Sequence, residues 1–309
     1  MENNWVSYKN GNYIVALDTV HGTKIRYNDL TFFKADRPEN MDIKITNSCN
    51  MGCPFCHENS VCNGKHSDAL HSKFLETLPE WTECSYGGGN VLEYPDLVPL
   101  LRKSKNFHLI SNITVNQKHF MENLSFLREL VNQKLIYGLG ISLTDPYQEG
   151  FIEAVKTFPN AVIHVINGVV TLAQLSALGC KDLKILILGY KEVRRGVAYK
   201  ADVDHLVGLR KNRLYASLPF IAEHSWFKTI SFDNLALEQL EPKRFLSDEF
   251  YATHNLGDDG LMGEQTSASY YVDLVENVFA RNSCDVEHRY PLENHTATEC
   301  YQLLRDNKI

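Results

Sequence analysis

Three cysteines, Cys49, Cys53 and Cys56, stand together in the stretch CNMGCPFC at residues 49–56. Thiolates this close in sequence can converge on one metal centre. A structural zinc site takes four protein ligands, and iron–sulfur clusters are commonly held by four cysteines. Three cysteines therefore indicate either a centre with one open coordination position or a fourth ligand elsewhere, for which the candidates are Cys62, Cys84, His57 and His66.

The composition is that of a folded globular protein, with 309 residues of which 44% are hydrophobic and 22% charged. The N-terminal sequence lacks the basic and apolar regions of a signal peptide, and the longest apolar runs, such as 183–190, are too short to span a bilayer. We therefore expect a cytoplasmic protein without a membrane association. Unevenly spaced cysteines in such a protein favour metal or redox chemistry over disulfides.

The charge distribution leaves two interpretations open. A net charge of −7 argues against a protein that wraps nucleic acid. Residues 181–213 nevertheless contain nine Lys or Arg residues and four acids. This basic segment is either the solvated face of a helix or an anion site for a carboxylate or phosphate.

Hydrophobic patterning divides the chain into three parts. Residues 5–27 partly alternate between apolar and polar, with turn signals at Asn10-Gly11 and His21-Gly22, which predicts a three-stranded meander. Strand-like runs then alternate with helix-like segments. The runs are 41–46, 84–86, 107–112, 135–143, 161–166 and 183–188, and the helical segments are 67–78, 95–103, 117–134, 149–158 and 171–178.

Six strand–helix alternations predict a parallel sheet with helical crossovers, in a doubly wound sheet or a full or partial β/α barrel. After about residue 235 the alternation ends. There we expect a helix over 238–254, a hairpin over 269–281 that turns near Glu276-Asn277, and a short terminal helix. The predicted domains are an N-terminal meander (1–40), an α/β barrel (41–235) and an α+β C-terminal extension (236–309).

The cysteine motif resembles that of the radical S-adenosylmethionine (radical SAM) enzymes: Cys49-x3-Cys53-x2-Cys56, with the aromatic Phe55 before the last cysteine, follows a predicted strand. The next predicted strand leads into the glycine-rich stretch Gly87-Gly88-Gly89-Asn90, which is similar to the family's second motif. Many members carry Glu where Asn90 stands. A motif is informative only in its structural context, and here both lie after strands.

The resemblance implies a partial (β/α)6 barrel with one [4Fe–4S] cluster, whose three ligands are Cys49, Cys53 and Cys56, and SAM on the fourth iron. It also implies SAM contacts at the ends of successive strands, where β/α barrels build their sites. These candidates are Phe55, Gly87, Gly88, Gly89, Asn90, Asn116, Ser142, Asn167 and Gly189. Arg194 and Arg195 are further candidates, to clamp either the SAM carboxylate or a substrate phosphate, because guanidinium groups suit bidentate contacts to planar anions. His57, Cys284 and Cys300 are weaker catalytic candidates. A non-catalytic zinc-binding protein is the alternative.

The implied activity is reductive cleavage of SAM to a 5′-deoxyadenosyl radical, which abstracts hydrogen from a substrate. The basic segment favours a nucleoside, nucleotide or nucleic-acid base. The alternative is a peptide or protein, for which the meander offers an edge strand. The chemistry also requires an electron donor, such as a flavodoxin or ferredoxin.

Overall fold

The computed structural model describes residues 4–30, 33–254, 268–306 and 308–309. Its N-terminal part is the predicted antiparallel meander, formed by β1 (Trp5–Asn10), β2 (Tyr13–Asp18) and β3 (Lys24–Tyr27). Gly11 and Gly22 lie in its two turns with φ of 58° and 77°, a backbone region that favours glycine.

A second, larger sheet carries the alternating part of the chain. Its strands are β4 (Asn40–Thr46), β5 (Glu83–Gly88), β6 (Ile110–Asn116), β7 (Gly138–Ser142), β8 (Ala161–Ile166), β9 (Lys184–Leu188), β10 (Thr229–Phe232), β11 (Ser269–Asp273), β12 (Val278–Ala280) and β13 (Tyr290–Pro291). The strand order is β10-β9-β8-β7-β6-β5-β4-β11-β12-β13.

The pairings from β10 to β11 are all parallel. The six predicted strands are therefore neighbours in sequence order, and β10 and β11 extend the parallel sheet at either side. Among the described residues the edge strands β10 and β13 do not pair with each other, so the sheet stays open. The predicted α/β class with a large parallel sheet is confirmed.

Several of the helices share a hydrophobic core with one face of this sheet. In the described residues the helices are α1 (Leu97–Asn106), α2 (Gln117–Glu122), α3 (Leu124–Asn132), α4 (Phe151–Lys156), α5 (Leu172–Leu178), α6 (Arg195–Glu223), α7 (Asn234–Leu240), α8 (Asp248–His254) and α9 (Ala297–Arg305). Strand residues such as Ile43, Ile141 and Ile163 are buried with helix residues such as Leu100 and Phe120 in one core. Because side chains alternate along a strand, the residues between them point to the opposite face, which we call the inner face.

Three predicted helices are shorter or broken. Residues 67–78 form only two 3-10 turns, because the Ser72 hydroxyl accepts a hydrogen bond from the Phe74 amide and Pro79 follows. Residues 117–134 break at Asn123, whose side chain donates to the His119 carbonyl at 2.8 Å. The predicted helix at 238–254 breaks at Glu241, where φ is 45°, just before Pro242.

The C-terminal part contributes directly to the main sheet. Strands β11 and β12 form the predicted hairpin, and α9 is the predicted terminal helix. Strand β11 lies parallel to β4, with Asp273 in register with Lys44. The domain boundaries at residues 40 and 235 stay a prediction. In the described part of the chain, no helix has the length and apolar character needed to cross a membrane.

Candidate active site at the carboxyl ends of the strands

The three motif cysteines lie in a loop that begins where β4 ends. The loop folds back on itself: the Cys49 amide donates to the Val61 carbonyl at 2.9 Å, and the Cys56 amide donates to the Cys53 carbonyl at 3.2 Å. All three thiols are partly exposed and form no disulfide. Burial raises the pKa of Cys53, and the neighbouring thiols of Cys56 and Cys49 raise it further.

These thiols suit a metal centre, because thiolates that repel one another are stabilised by binding cations. Within the described ranges, no three His, Cys, Asp or Glu side chains meet at a position for a single metal ion. In an iron–sulfur cluster each thiolate would bind a different iron, so the three sulfur atoms need not converge on one position. The donor set of partly exposed thiols on one loop therefore fits a [4Fe–4S] cluster.

The glycine-rich stretch packs against the start of the cysteine loop. Gly88 has a φ of 107°, and a Cβ atom there would lie 2.2 Å from the Thr46 carbonyl oxygen. A Cβ atom at Gly89 would lie 2.1 Å from the Ser48 carbonyl oxygen. A Cβ atom at Gly87 would instead meet no other atom within 4 Å. Gly88 and Gly89 are thus required by backbone packing, whereas the backbone of Gly87 is open to a ligand.

Asn90 hydrogen-bonds the carboxylate of Glu93, a residue that no motif had indicated. Its Oδ1 accepts a hydrogen bond from the Leu92 amide at 3.2 Å, and its Nδ2 donates to Glu93 Oε1 at 3.1 Å. The Ser48 hydroxyl donates to Glu93 Oε2 at 2.7 Å. An acid is therefore present three residues after Asn90, beside the cysteine loop. Its only sequence signal is its place in the turn after the glycines.

Asn116 and Ser142 belong to one row across the sheet, because the two residues pair in register between β6 and β7. Asn116 caps α2 and donates to the Thr144 hydroxyl at 3.2 Å. His164 extends the row on β8, where it pairs in register with Ser142. His164 was not among the predicted site residues, because a histidine within an apolar strand gives no motif signal. Ser142 and His164 make no side-chain hydrogen bond to the described residues.

Asn167 and Gly189 meet a helix that lies beyond the predicted barrel. Asn167 is completely buried; its Nδ2 donates to Gln239 Oε1 at 3.0 Å, while its Oδ1 has no hydrogen-bond partner among the described residues. The Gly189 amide donates to Asp233 Oδ1 at 2.8 Å. A buried polar atom without a partner is costly, so a hydrogen bond from a ligand hydroxyl or amine to this Oδ1 would be stabilising.

The two predicted anion-binding arginines hold the cysteine loop instead of facing outward. Arg195 donates to the carbonyl oxygens of Ser60, at 2.8 Å, and Cys53, at 3.4 Å. Arg194 donates to the His57 carbonyl oxygen at 2.9 Å. Phe55 also packs on α6, with its ring edge-on to Tyr199 at 5.5 Å. The start of α6 therefore positions the cysteine loop.

A buried ionic network joins the cysteine loop to the C-terminal strands. Lys44 Nζ lies 3.1 Å from both Glu58 Oε2 and Asp273 Oδ2. The Tyr271 hydroxyl donates to Glu58 at 3.2 Å, and Arg194 lies 3.4 Å from the same carboxylate. Burial acts to raise the pKa of Glu58, but the nearby cations Lys44 and Arg194 hold it below its ordinary value.

The three catalytic candidates His57, Cys284 and Cys300 lie in different parts of the structure. His57 lies 3.5 Å from Glu58, and burial together with the Lys191 ammonium lowers the pKa of His57 to about 3, so the ring is neutral at pH 7. Cys284 is partly exposed and close to Lys191, which donates to the adjacent Ser283 hydroxyl at 3.0 Å. Cys300 is fully buried in the core and is not brought to the site.

Comparisons with known proteins identify the fold. No protein-family model and no curated protein sequence matches the chain. The crystal structure of Streptococcus suis SuiB bound to S-adenosylmethionine matches with a TM-score of 0.60 and 12% identity, over 99% of this chain and 90% of that one. SuiB bound to the precursor peptide SuiA matches with a TM-score of 0.56 and 14% identity, over 89% of this chain and 67% of that one.

The chain shares the fold of SuiB. A further SuiB crystal structure gives the same result, with a TM-score of 0.59 and 12% identity over 99% of this chain and 90% of that one. The likeness includes the meander and the C-terminal part, and it confirms the α/β fold with a large parallel sheet that the resemblance implied. In this fold the cysteine loop, Gly87, Ser142, Asn167 and Gly189 all follow or end parallel strands.

Proposed function

We propose that the protein is a radical SAM enzyme that holds one [4Fe–4S] cluster through Cys49, Cys53 and Cys56. The observation that carries the proposal is the loop of three free thiols between β4 and the glycine-ended β5, in a fold that SuiB shares in a SAM-bound structure. When bound, the cluster and SAM supply a 5′-deoxyadenosyl radical that removes hydrogen from a substrate.

The chain's own residues bind and orient SAM in this proposal. The open backbone of Gly87 and the carboxylate of Glu93 receive the SAM amino group. The unpaired Asn167 Oδ1 and the Ser142 hydroxyl accept hydrogen bonds from the ribose hydroxyls. Arg194, Arg195 and the Glu58 network fix the cysteine loop so that its thiolates keep their positions.

For the substrate, we propose a peptide or protein. The likeness to SuiB, which was solved with a precursor peptide, extends over most of the chain. The basic segment 181–213, which favoured a nucleotide, gives less support than expected, because Arg194 and Arg195 bind loop carbonyls and Lys200 lies 2.8 Å from Glu192. A nucleoside-type substrate is the second candidate. His57, which lies 3.5 Å from Glu58, and Cys284, next to the Lys191 partner Ser283, are the candidates for acid–base or thiol chemistry.

Anaerobic reconstitution with iron, sulfide and SAM tests the proposal. A flavodoxin or ferredoxin, the electron donors we propose for a cytoplasmic enzyme, would serve as reductant. We expect a brown protein that forms 5′-deoxyadenosine. Deuterated peptide and nucleoside pools, offered separately, would show which one transfers deuterium to 5′-deoxyadenosine. Stoichiometric zinc without iron, and no SAM cleavage, would contradict the proposal in favour of a zinc-binding protein.

A further inference from the structure

The inner face of the sheet holds two polar groups that converge over a glycine. A Cβ atom on Gly140 would lie 2.7 Å from His164 Nε2 and also 2.7 Å from Thr114 Oγ1. It would lie 2.4 Å from His164 Cε1. Glycine at this position therefore leaves space that the imidazole and the hydroxyl share. The three residues come from the adjacent strands β6, β7 and β8.

His164 belongs to the open side of the sheet and not to the core. Its neighbours Ile163 and Val165 point to the opposite face and are buried among helices, whereas His164 is partly exposed. Its position is level with Ser142, at the end of β7 where the proposed SAM site begins. A group bound at His164 would therefore lie on the inner face directly beside that site.

The hydrogen-bonding capacity of this site is unused by the protein. In the described ranges, neither the His164 ring nor the Thr114 hydroxyl has a hydrogen-bond partner on a side chain or on the backbone. Burial lowers the pKa of His164 to about 4, so the ring is neutral at pH 7 and offers one N–H donor and one nitrogen acceptor. Polar groups in such partly buried positions are normally satisfied by a ligand or by water.

The neutral imidazole of His164 and the hydroxyl of Thr114 determine which kind of ligand fits. A phosphate or carboxylate is best bound by cationic donors, which a neutral imidazole and a hydroxyl do not provide. An amide has both a donor and an acceptor and carries no charge, so it matches a neutral ring that can donate and accept. Amides occur in every peptide backbone and in Asn and Gln side chains.

We propose that His164 and Thr114 form a substrate subsite that hydrogen-bonds a neutral amide of a peptide. The subsite rests on the proposed function, since it lies beside the SAM site and orients the substrate for hydrogen removal. His164 is a positioning residue here, and it makes no bond to the cluster or to SAM. Gly140, which has no Cβ atom, lets the imidazole and the hydroxyl converge on the inner face.

A chemical-protection experiment tests binding without turnover. Diethyl pyrocarbonate modifies neutral imidazoles, and mass spectrometry of peptides measures modification at His164 in the reconstituted enzyme. We expect N-acetylglycinamide to slow modification of His164 and inorganic phosphate to leave it unchanged. His71, whose side chain is 72% exposed, is the internal control and should react equally in all samples. Protection by phosphate alone, or none by the amide, overturns the proposal.

Variants test the role in turnover. His164→Ala should leave SAM affinity and substrate-free formation of 5′-deoxyadenosine unchanged, and should raise the KM for the peptide pool about tenfold, the effect of one lost hydrogen bond. His164→Gln retains a neutral donor and acceptor and should restore part of the loss. Equal loss of SAM affinity in His164→Ala would assign the ring to SAM instead and refute the subsite.

The failures of the two proposals are distinguishable. If wild-type protein forms no 5′-deoxyadenosine, the proposed function fails whatever His164 binds, and the protection experiment still decides the amide assignment. If wild-type protein cleaves SAM but deuterium comes only from the nucleoside pool, the radical SAM function stands and the amide subsite is wrong.

Discussion

Lys44 Nζ lies 3.1 Å from Glu58 Oε2, and this buried pair connects strand β4 to the residue two positions after the last motif cysteine. Both side chains are only 5% exposed. The same ammonium group contacts Asp273 on β11 at 3.1 Å. The pair therefore links the cysteine loop, the first strand of the parallel sheet and the C-terminal strand in one contact.

Removing one partner of this pair should destabilise the protein. Lys44→Met leaves the carboxylates of Glu58 and Asp273 without their shared cation, and we expect the free energy of unfolding to fall by about 3–5 kcal/mol. Urea denaturation followed by circular dichroism measures the change. Lys200→Met, which removes an exposed partner of Glu192, is the control and should have little effect. Equal stability of the Lys44 variant and wild type would refute the role of the pair.

The same pair should make stability depend on pH in the acid range. Because the pKa of Glu58 is lower in the folded protein than the ordinary value of about 4.3, ionised Glu58 stabilises the folded state above that pH. This stabilisation is lost as pH falls through the folded-state pKa. In Glu58→Gln the loss on acidification should be smaller than in wild type, as measured by urea denaturation between neutral pH and about pH 3. The same dependence of unfolding free energy on pH in both proteins would contradict this role of Glu58.

The sequence predicted the order of the sheet better than its helices. The apolar runs of the strands reflect the burial of the sheet, so all six central strands could be found from the sequence. The start of β6 is an exception, because it begins at Ile110 and not at residue 107. The breaks at Asn123 and Glu241 depend on local side-chain and backbone choices that periodicity does not contain. The site was predictable where a motif fixes it, as at Cys49.

Contacts between distant segments were not predictable. Glu93, His164 and Gln239 enter the site because strands and helices far apart in sequence meet there. The predicted role of Arg194 and Arg195 as an anion clamp stays a prediction, whereas their contacts with carbonyl oxygens of the cysteine loop, and that of Arg194 with Glu58, had no signal in the sequence. Residue type and local spacing give no information on such partners.

Each thiol of the motif should be required for iron binding and SAM cleavage, whereas the thiol of Cys62, the next cysteine in the chain, should not. Cys53→Ala should lose bound iron and form no 5′-deoxyadenosine under anoxic, reducing conditions, because one iron would lack its thiolate. Cys62 is exposed and outside the motif, so Cys62→Ala should retain both properties. Iron analysis, visible absorbance and chromatography of the nucleoside product measure the outcome. Normal turnover in Cys53→Ala would refute the cluster assignment.

Glu93 should contribute to SAM affinity. Glu93→Gln removes the negative charge but keeps the shape, and we expect SAM binding to weaken about tenfold, as for loss of a hydrogen bond to a charged group. Equilibrium dialysis with the reconstituted protein measures the affinity. Glu122→Gln is the matched control, because Glu122 ends α2 and takes no part in the contacts between Asn90, Ser48 and Glu93. Equal SAM affinity in wild type and Glu93→Gln would exclude Glu93 from the site.

Gly87 and Gly89 should respond differently to substitution by alanine: one variant should lose SAM affinity and the other stability. Gly89→Ala places a methyl group 2.1 Å from the Ser48 carbonyl oxygen, so the strand end and the cysteine loop must separate and the thermal midpoint should fall. Gly87→Ala meets no atom within 4 Å, so the protein should fold with unchanged stability. The new methyl group would nevertheless occupy the open space where the SAM amino group is proposed to bind. Gly87→Ala should therefore weaken SAM binding while its melting curve stays that of wild type, and a variant with full affinity would show that no ligand approaches this backbone.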